Sequence, residues 1–279
     1  MGMTFAGSSF GGAVMAPVAS HAIAWGGSWR SGYLVLAIPM FVIVIPMVLI
    51  FIRTRPNEAE GEVSVASASA ALPGFELSEA FHTRSFWMLC GAQFLYATMA
   101  AGVGLHFIPY MIGVGYKAEF AAGLLSVVFL FTTAGKLIMG FASDRISPRI
   151  ALIVNFIGAA IGMVLIFGAR SPLMVYPFIA MFGLTLGAPL VLIPLLTSEC
   201  LGLKRFGAIS GVAGVFNTAG AFVGPMMLGK IFDASGSYSS AFQICFVLSL
   251  LGAAATWACL PYAAEQERSR TRIAATAAA

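Results

Sequence analysis

The sequence predicts an all-α polytopic membrane protein with eight transmembrane helices. Three observations carry that prediction. Of 279 residues, 59% are apolar and only 9% are charged, against about 25% charged in an ordinary soluble domain. The mean hydropathy is +0.93. The apolar residues also gather into blocks of the length, about 20 residues, that crosses a bilayer core as a helix. Fifteen basic and eleven acidic side chains cannot clothe a soluble globule of this size. The apolar fraction excludes a disordered chain. Four cysteines exclude a disulfide scaffold.

The eight blocks are Thr4–Ile23, Gly32–Ile52, Ser85–Ile112, Phe120–Ser143, Ile150–Ala169, Pro172–Ser198, Gly207–Lys230 and Ser239–Tyr262. A transmembrane β-barrel would show segments of about ten residues with apolar and polar positions alternating. Runs such as Tyr33 to Ile52 do not alternate. The first block has no basic residue before it and is glycine-rich throughout, so it reads as a helix and not as a signal peptide. Trp25, Trp29, Trp87 and Trp257 read as interface anchors, with packing the alternative for the deeper Trp257.

The net charge of +4 and pI near 9.0 do not point to nucleic acid, because the basic residues fall between apolar blocks. They set an orientation instead. With the stretch between the second and third blocks placed in the cytoplasm, eleven of the fifteen basic residues fall on that side. They are Arg53, Arg55, Arg84, Lys136, Arg145, Arg149, Lys204, Arg205, Arg268, Arg270 and Arg272. Arg30, Lys117, Arg170 and Lys230 fall opposite. Both termini are then cytoplasmic, and the expected location is the inner or plasma membrane.

The polar stretch after Arg53 contains Glu58, Glu60, Glu62, Ser64, Ser67 and Ser69. It divides the chain into a two-helix unit (1–53), a cytoplasmic linker (54–84), a six-helix unit (85–262) and a cytoplasmic tail (263–279). A short amphipathic stretch from Phe75 to Phe81 is expected on the membrane surface.

Inside the six-helix unit a motif repeats. Gly135 to Asp144 and Gly224 to Asp233 both read G-x4-G-x3-D, 89 positions apart. The first sits at the cytoplasmic end of its block and the second at the outer end. The two helices therefore run in opposite directions, the pattern of an inverted three-plus-three repeat. Five GxxxG pairs, Gly7–Gly11, Gly158–Gly162, Gly183–Gly187, Gly207–Gly211 and Gly220–Gly224, suit close helix contact in lipid.

Lys136 carries the most chemical information. It lies eight residues before Asp144, roughly 12 Å along the helix. A lysine near the bilayer centre costs roughly 2.5–3.5 kcal/mol on insertion scales, so it faces a wet cavity or a partner. A cation there attracts a carboxylate. The competing reading is a snorkelling lysine whose amine reaches the interface. Gln93 and Tyr96 share a helix face, and Asn155, Thr185 and Asn217 lie mid-span. Each either lines a pocket or makes a helix–helix hydrogen bond worth ~0.6 kcal/mol. Histidine as a residue type suits proton coupling, which makes His106 a candidate for it; an interfacial role beside Pro109 and Tyr110 is the plainer reading. Pro189, Pro194 and Pro225 either bend their helices or are simply accommodated by packing.

Gly140, Asp144, Arg145 and Arg149 fit a loop motif, and the segment resembles G-x-L-A-D-R-x-G-R-[RK] of the major facilitator superfamily. Ala142, Ser147 and Pro148 depart from it. The run from Gly220 through Gly224-Pro225 to Asp233, Gly236, Tyr238 and Phe242 is similar to the eleventh helix and following loop of the monocarboxylate and oxalate/formate porter branch. Trp29-Arg30 and Arg53-Thr-Arg55-Pro56 resemble its fifth-to-sixth-helix region.

The resemblance covers essentially the whole chain, as family helices five to twelve. It implies six helices forming the C-terminal half of that fold, and alternating-access transport of a small organic, monocarboxylate-like anion by symport or exchange, with protons a candidate coupling ion. It places a basic residue four positions before Gly140, where Lys136 stands. The acid that some relatives carry one turn earlier is Thr132 here, and Gly207–Gly229 lacks a second cation. It implies that Asp144, Arg145, Arg149 and Asp233, with Gly140, Gly224 and Pro225, set a conformation and do not touch substrate. Glu199 is a candidate partner of Arg145 or Lys204.

A second expectation is a membrane fragment, inactive or completed by four helices supplied in trans. A membrane-embedded enzyme is a minor alternative: no GxSxG, HExxH or acid pair lies inside a block, and His21, His82 and His106 are scattered. No cofactor, metal site or Walker motif is expected.

Overall fold

The computed structural model describes residues 2–51, 72–168 and 171–268. Among them are eight long helices: α1 (Gly2–Gly26), α2 (Trp29–Phe51), α3 (Arg84–Gly113), α4 (Ala118–Arg145), α5 (Pro148–Gly168), α6 (Leu173–Leu201), α7 (Phe206–Ser235) and α8 (Ser239–Trp257). The described residues contain no strand, only an isolated bridge between Gly74 and Gly202. Seven helices, α2 to α8, are long and apolar enough to cross a membrane. The first expected span is a 25-residue helix, but its glycines, serines and His21 dilute it below that standard. Eight helices stand where eight blocks were read, and seven qualify as spans.

Local chemistry sets the ends. Thr83 accepts a hydrogen bond from the Phe86 amide and Ser147 from that of Ile150, with Pro148 opening α5. Both satisfy amides that no helical carbonyl reaches. Gly236, at φ 65°, closes α7 in the left-handed conformation that glycine adopts without strain. α7 runs on to Ser235, past the expected end at Lys230, so Lys230 and Asp233 are helical.

Prolines account for two irregularities. α6 is broken at Ala188, between Gly187 and Pro189, because Pro189 has no N–H for the carbonyl four residues back. α2 contains a π turn over Met40–Val44, between Pro39 and Pro46. One looser turn there absorbs the interrupted ladder.

Backbone-to-backbone contact holds the bundle together. A Cβ on Gly224 would lie 2.1 Å from the Thr98 carbonyl oxygen, and one on Gly220 would lie 2.3 Å from that of Phe94. This is the α3–α7 crossing. The α4–α6 crossing repeats it: a Cβ on Gly135 would lie 2.0 Å from the Leu184 oxygen. Gly135 and Gly224 are the matching first glycines of the repeated motif. Gly183 and Gly187 press on α4 as closely. Gly158 and Gly162 meet side chains of α6, whereas Gly7, Gly11, Gly207 and Gly211 face open space. The GxxxG pattern therefore marks tight crossings at only two of five places.

α1 lies along α2 and α4. α2 buries Gly32 but none of its 18-residue apolar stretch inside the described residues. The core runs between α3 and α8 and includes Phe86, Phe107, Phe156, Phe178, Phe182 and Phe242. All four cysteines are buried and unpaired. Trp25, Trp29, Trp87 and Trp257 are exposed.

At the end of the bundle where α3 begins, three segments are stitched together. Glu265, 3% exposed, accepts from the Arg84 amide at 2.8 Å and the Ser85 hydroxyl at 2.9 Å. Pro73 and Phe75 exchange backbone hydrogen bonds with Leu203 and Leu201. Glu76 pairs with Lys204 at 3.2 Å and Arg205 at 2.9 Å. Phe75 is buried against Tyr262, so the stretch expected on the membrane surface turns inward and docks on protein at that point. Most of the predicted linker and the end of the tail, including Arg270 and Arg272, lie outside the described residues.

Candidate substrate path

Lys136 lies in α4 where that helix crosses α6 and α1. Its stem passes Gly187, whose missing side chain gives it room. The residue is 1% exposed. Its Nζ donates to the Phe5 carbonyl at 2.9 Å and the Ser8 hydroxyl at 2.8 Å, both on α1. The amine reaches across to the first turns of a neighbouring helix. No acidic side chain pairs with it among the described residues.

Gln93 and Tyr96 of α3 and Asn217 of α7 converge on one partly open cavity, of about 170 Å³, also lined by Pro189, Leu190, Ile193, Pro194 and Thr197 of α6. Ser210 and Gly214 complete the α7 wall. Ser210 does not stand out in the sequence, yet it lies seven residues before Asn217 and hence on the same face. The Tyr96 hydroxyl donates to the Leu186 carbonyl, beside the break in α6.

Thr185 and Asn155 lie elsewhere. Asn155, 1% exposed, donates its amide to the Thr185 carbonyl at 3.2 Å, while the Thr185 hydroxyl bonds back to Met181 and Phe182. Pro189 is the residue four beyond Thr185, so no helical N–H reaches that carbonyl and the asparagine supplies one. Neither residue lines the cavity. The six candidates therefore form three groups: Gln93, Tyr96 and Asn217 at the cavity, Asn155 with Thr185 behind α6, and Lys136 on its flank.

His106 bridges three elements. Its Nε2 lies 3.0 Å from the Pro225 carbonyl and its Nδ1 3.0 Å from the Tyr238 hydroxyl. A carbonyl only accepts, so Nε2 carries the proton and Nδ1 of the neutral ring accepts from Tyr238. Burial, with a smaller contribution from Asp233, raises the Tyr238 hydroxyl above its ordinary value and keeps it a donor.

The motif residues are mostly outward. Asp144, Arg145 and Asp233 are exposed, Gly140 accepts from Ser143, and Arg149 donates to the Trp257 carbonyl. Both ion pairs among the described residues involve Glu76. Lys204 pairs with Glu76, and Glu199, expected from sequence to partner Arg145 or Lys204, forms an ion pair with neither among the described residues and buries an Oε2 with no hydrogen-bond partner. The described residues hold no cluster of three metal-ligating side chains.

The fold and the site define a polytopic helical membrane protein with polar groups held between its helices. Comparison with known proteins narrows this: the Major Facilitator Superfamily profile matches residues 1–225 and, in a second alignment, 107–277. The chain belongs to that superfamily. Human monocarboxylate transporter 12 is 30% identical over 147 residues, which is 50% of this chain and 28% of that protein. Zebrafish (Danio rerio) monocarboxylate transporter 12-B is 25% identical over 195 residues, 67% of this chain and 41% of that one. The Escherichia coli K12 MFS-type transporter YhjX, uncharacterised, is 24% identical over 176 residues, 60% and 42%. The chain thus spans less than half the length of these curated relatives. Among solved structures, the E. coli fucose:proton symporter FucP aligns with TM-score 0.57 at 17% identity, covering 83% of this chain and 57% of that one. That likeness is one of fold.

Proposed function

We propose that this chain serves secondary transport of a small, monocarboxylate-like organic anion by alternating access, with protons or a second anion as the driving species. The observation that carries the reading is Lys136. A buried cation inside a span is costly and is kept where it meets a counter-charge. Its present partners, a carbonyl and a hydroxyl, carry no formal charge, so a carboxylate replaces them with a stronger, charge-assisted bond. The monocarboxylate transporters among the relatives support the same solute class, and the distribution of basic residues supports an inner or plasma membrane location with both termini cytoplasmic.

The test is propionate binding to the purified chain in detergent, by calorimetry, and uptake into vesicles. Lys136→Met is expected to weaken binding at least about tenfold, the loss of one charge-assisted bond. Ser8→Ala, which removes a competitor for the amine, is expected to strengthen it. Unchanged propionate affinity in Lys136→Met rejects the assignment.

A further inference from the structure

The cavity between α3, α6 and α7 contains no charged side chain. It is nevertheless polar. Gln93 is 8% exposed and Ser210 buries its hydroxyl oxygen with no partner. Among the described residues the Gln93 and Asn217 amides make no hydrogen bond either. Buried polar groups are ordinarily paired, above all in a membrane protein where lipid offers nothing. Ser210 is such a group, and the unpaired amides of Gln93 and half-buried Asn217 line the same space, so the polar groups of one ligand can pair with all three.

The chemistry of the three decides what kind. Each amide and each hydroxyl both donates and accepts, so they match groups that do both, such as alcohols. They give a carboxylate no counter-charge. On the α6 wall Pro189, Leu190, Ile193 and Pro194 are apolar and suit a carbon skeleton, and the hydroxyl of Thr197 is engaged with the Ile193 carbonyl. At about 170 Å³ the space is smaller than the roughly 300–1,000 Å³ of a complete small-molecule site, so it holds one end of a molecule. Lys136 is adjacent: the Tyr96 hydroxyl touches Leu186 and the Lys136 stem passes Gly187, the next residue of α6.

We propose that this cavity takes the hydroxyl-bearing end of the transported anion, so that the substrate is a polyhydroxylated carboxylate and not a plain alkyl acid. This rests on the reading of Lys136 as the carboxylate's partner.

The experiment compares gluconate with propionate as probes, by calorimetry on the purified full chain in detergent. Gluconate is expected to bind about tenfold more tightly than propionate. Asn217→Leu and Gln93→Leu are each expected to weaken gluconate about fivefold, the usual worth of one hydrogen bond, and to leave propionate within about twofold. Lys136→Met is expected to weaken both. Where a leucine variant melts at lower temperature than the parent, Ser210→Ala, which removes a single oxygen, replaces it with the same expectation. Gluconate binding no tighter than propionate, or not at all, overturns the proposal, as do cavity variants that spare gluconate or weaken both probes alike. If Lys136→Met weakens both probes while the cavity variants weaken neither, the anion reading stands and this one falls. If Lys136→Met changes neither, the anion reading falls.

Discussion

The side-chain amide of Asn155 lies 3.2 Å from the carbonyl oxygen of Thr185, the acceptor that Pro189 leaves without a helical donor. A break in one helix is thus sealed by a polar side chain on another. Asn155→Leu removes the donor, and the expected loss is about 0.5–1.5 kcal/mol. In Pro189→Ala the backbone supplies the missing N–H, so the same Asn155→Leu change should cost much less. Melting of the four proteins of this cycle in detergent measures the coupling. Equal losses in both backgrounds would show that the asparagine serves something else.

The repeated glycines make a second prediction. A methyl group at Gly135 or Gly224 would sit about 2 Å from a carbonyl oxygen of the facing helix, and a helix backbone does not yield as a side chain does. Each alanine variant should lose about 1–3 kcal/mol, the cost of overpacking. Gly123→Ala, with nothing within 4 Å, is the control and should gain up to about 1 kcal/mol from helix propensity. Thermal midpoints of the three variants give the comparison.

Glu265 is a cap supplied from 181 positions away in sequence. It satisfies the Arg84 amide and the Ser85 hydroxyl at the start of α3, where a negative charge also meets the positive end of the helix dipole. Glu265→Ala should cost about 1–2 kcal/mol. Faster amide exchange confined to the first turn of α3 would locate the effect; uniform exchange across the bundle would contradict it.

The clip at Glu76 should depend on pH. Hydrogen bonds from Arg205 and Lys204 hold the Glu76 carboxyl below its ordinary 4.5. A depressed carboxylate contributes its stabilisation fully above the unfolded value and loses it as pH falls through the lower folded value. Protease nicking near residues 73–76 and 201–205 should therefore rise in acid below about pH 4.5. Glu76→Gln should show the raised rate at neutral pH, with no further acid step.

The sequence made the helices legible because apolar block length is a direct reading of bilayer thickness. Their ends were less so. Lys230 and Asp233 look like a terminus, yet α7 carries both to Gly236, where a left-handed residue stops it. The chemistry of the site is legible as residue types: Gln93, Tyr96 and Asn217 are polar groups in mid-span, and they meet. Asn155 and Thr185 are polar in mid-span too and do not join them, because depth in a span fixes height and not azimuth. The partners of Lys136 were illegible, since Phe5 and Ser8 stand 131 and 128 positions away and nothing local points to them.

The kink in α6 is braced on two sides, by Asn155 at Thr185 and by Tyr96 at Leu186, and one of those braces forms part of the cavity wall. A guest that recruits the Tyr96 hydroxyl loosens the brace, and a straighter or more bent α6 alters the grip on the guest. Occupancy and curvature are then two coordinates of one equilibrium, and each must bias the other by the same free energy.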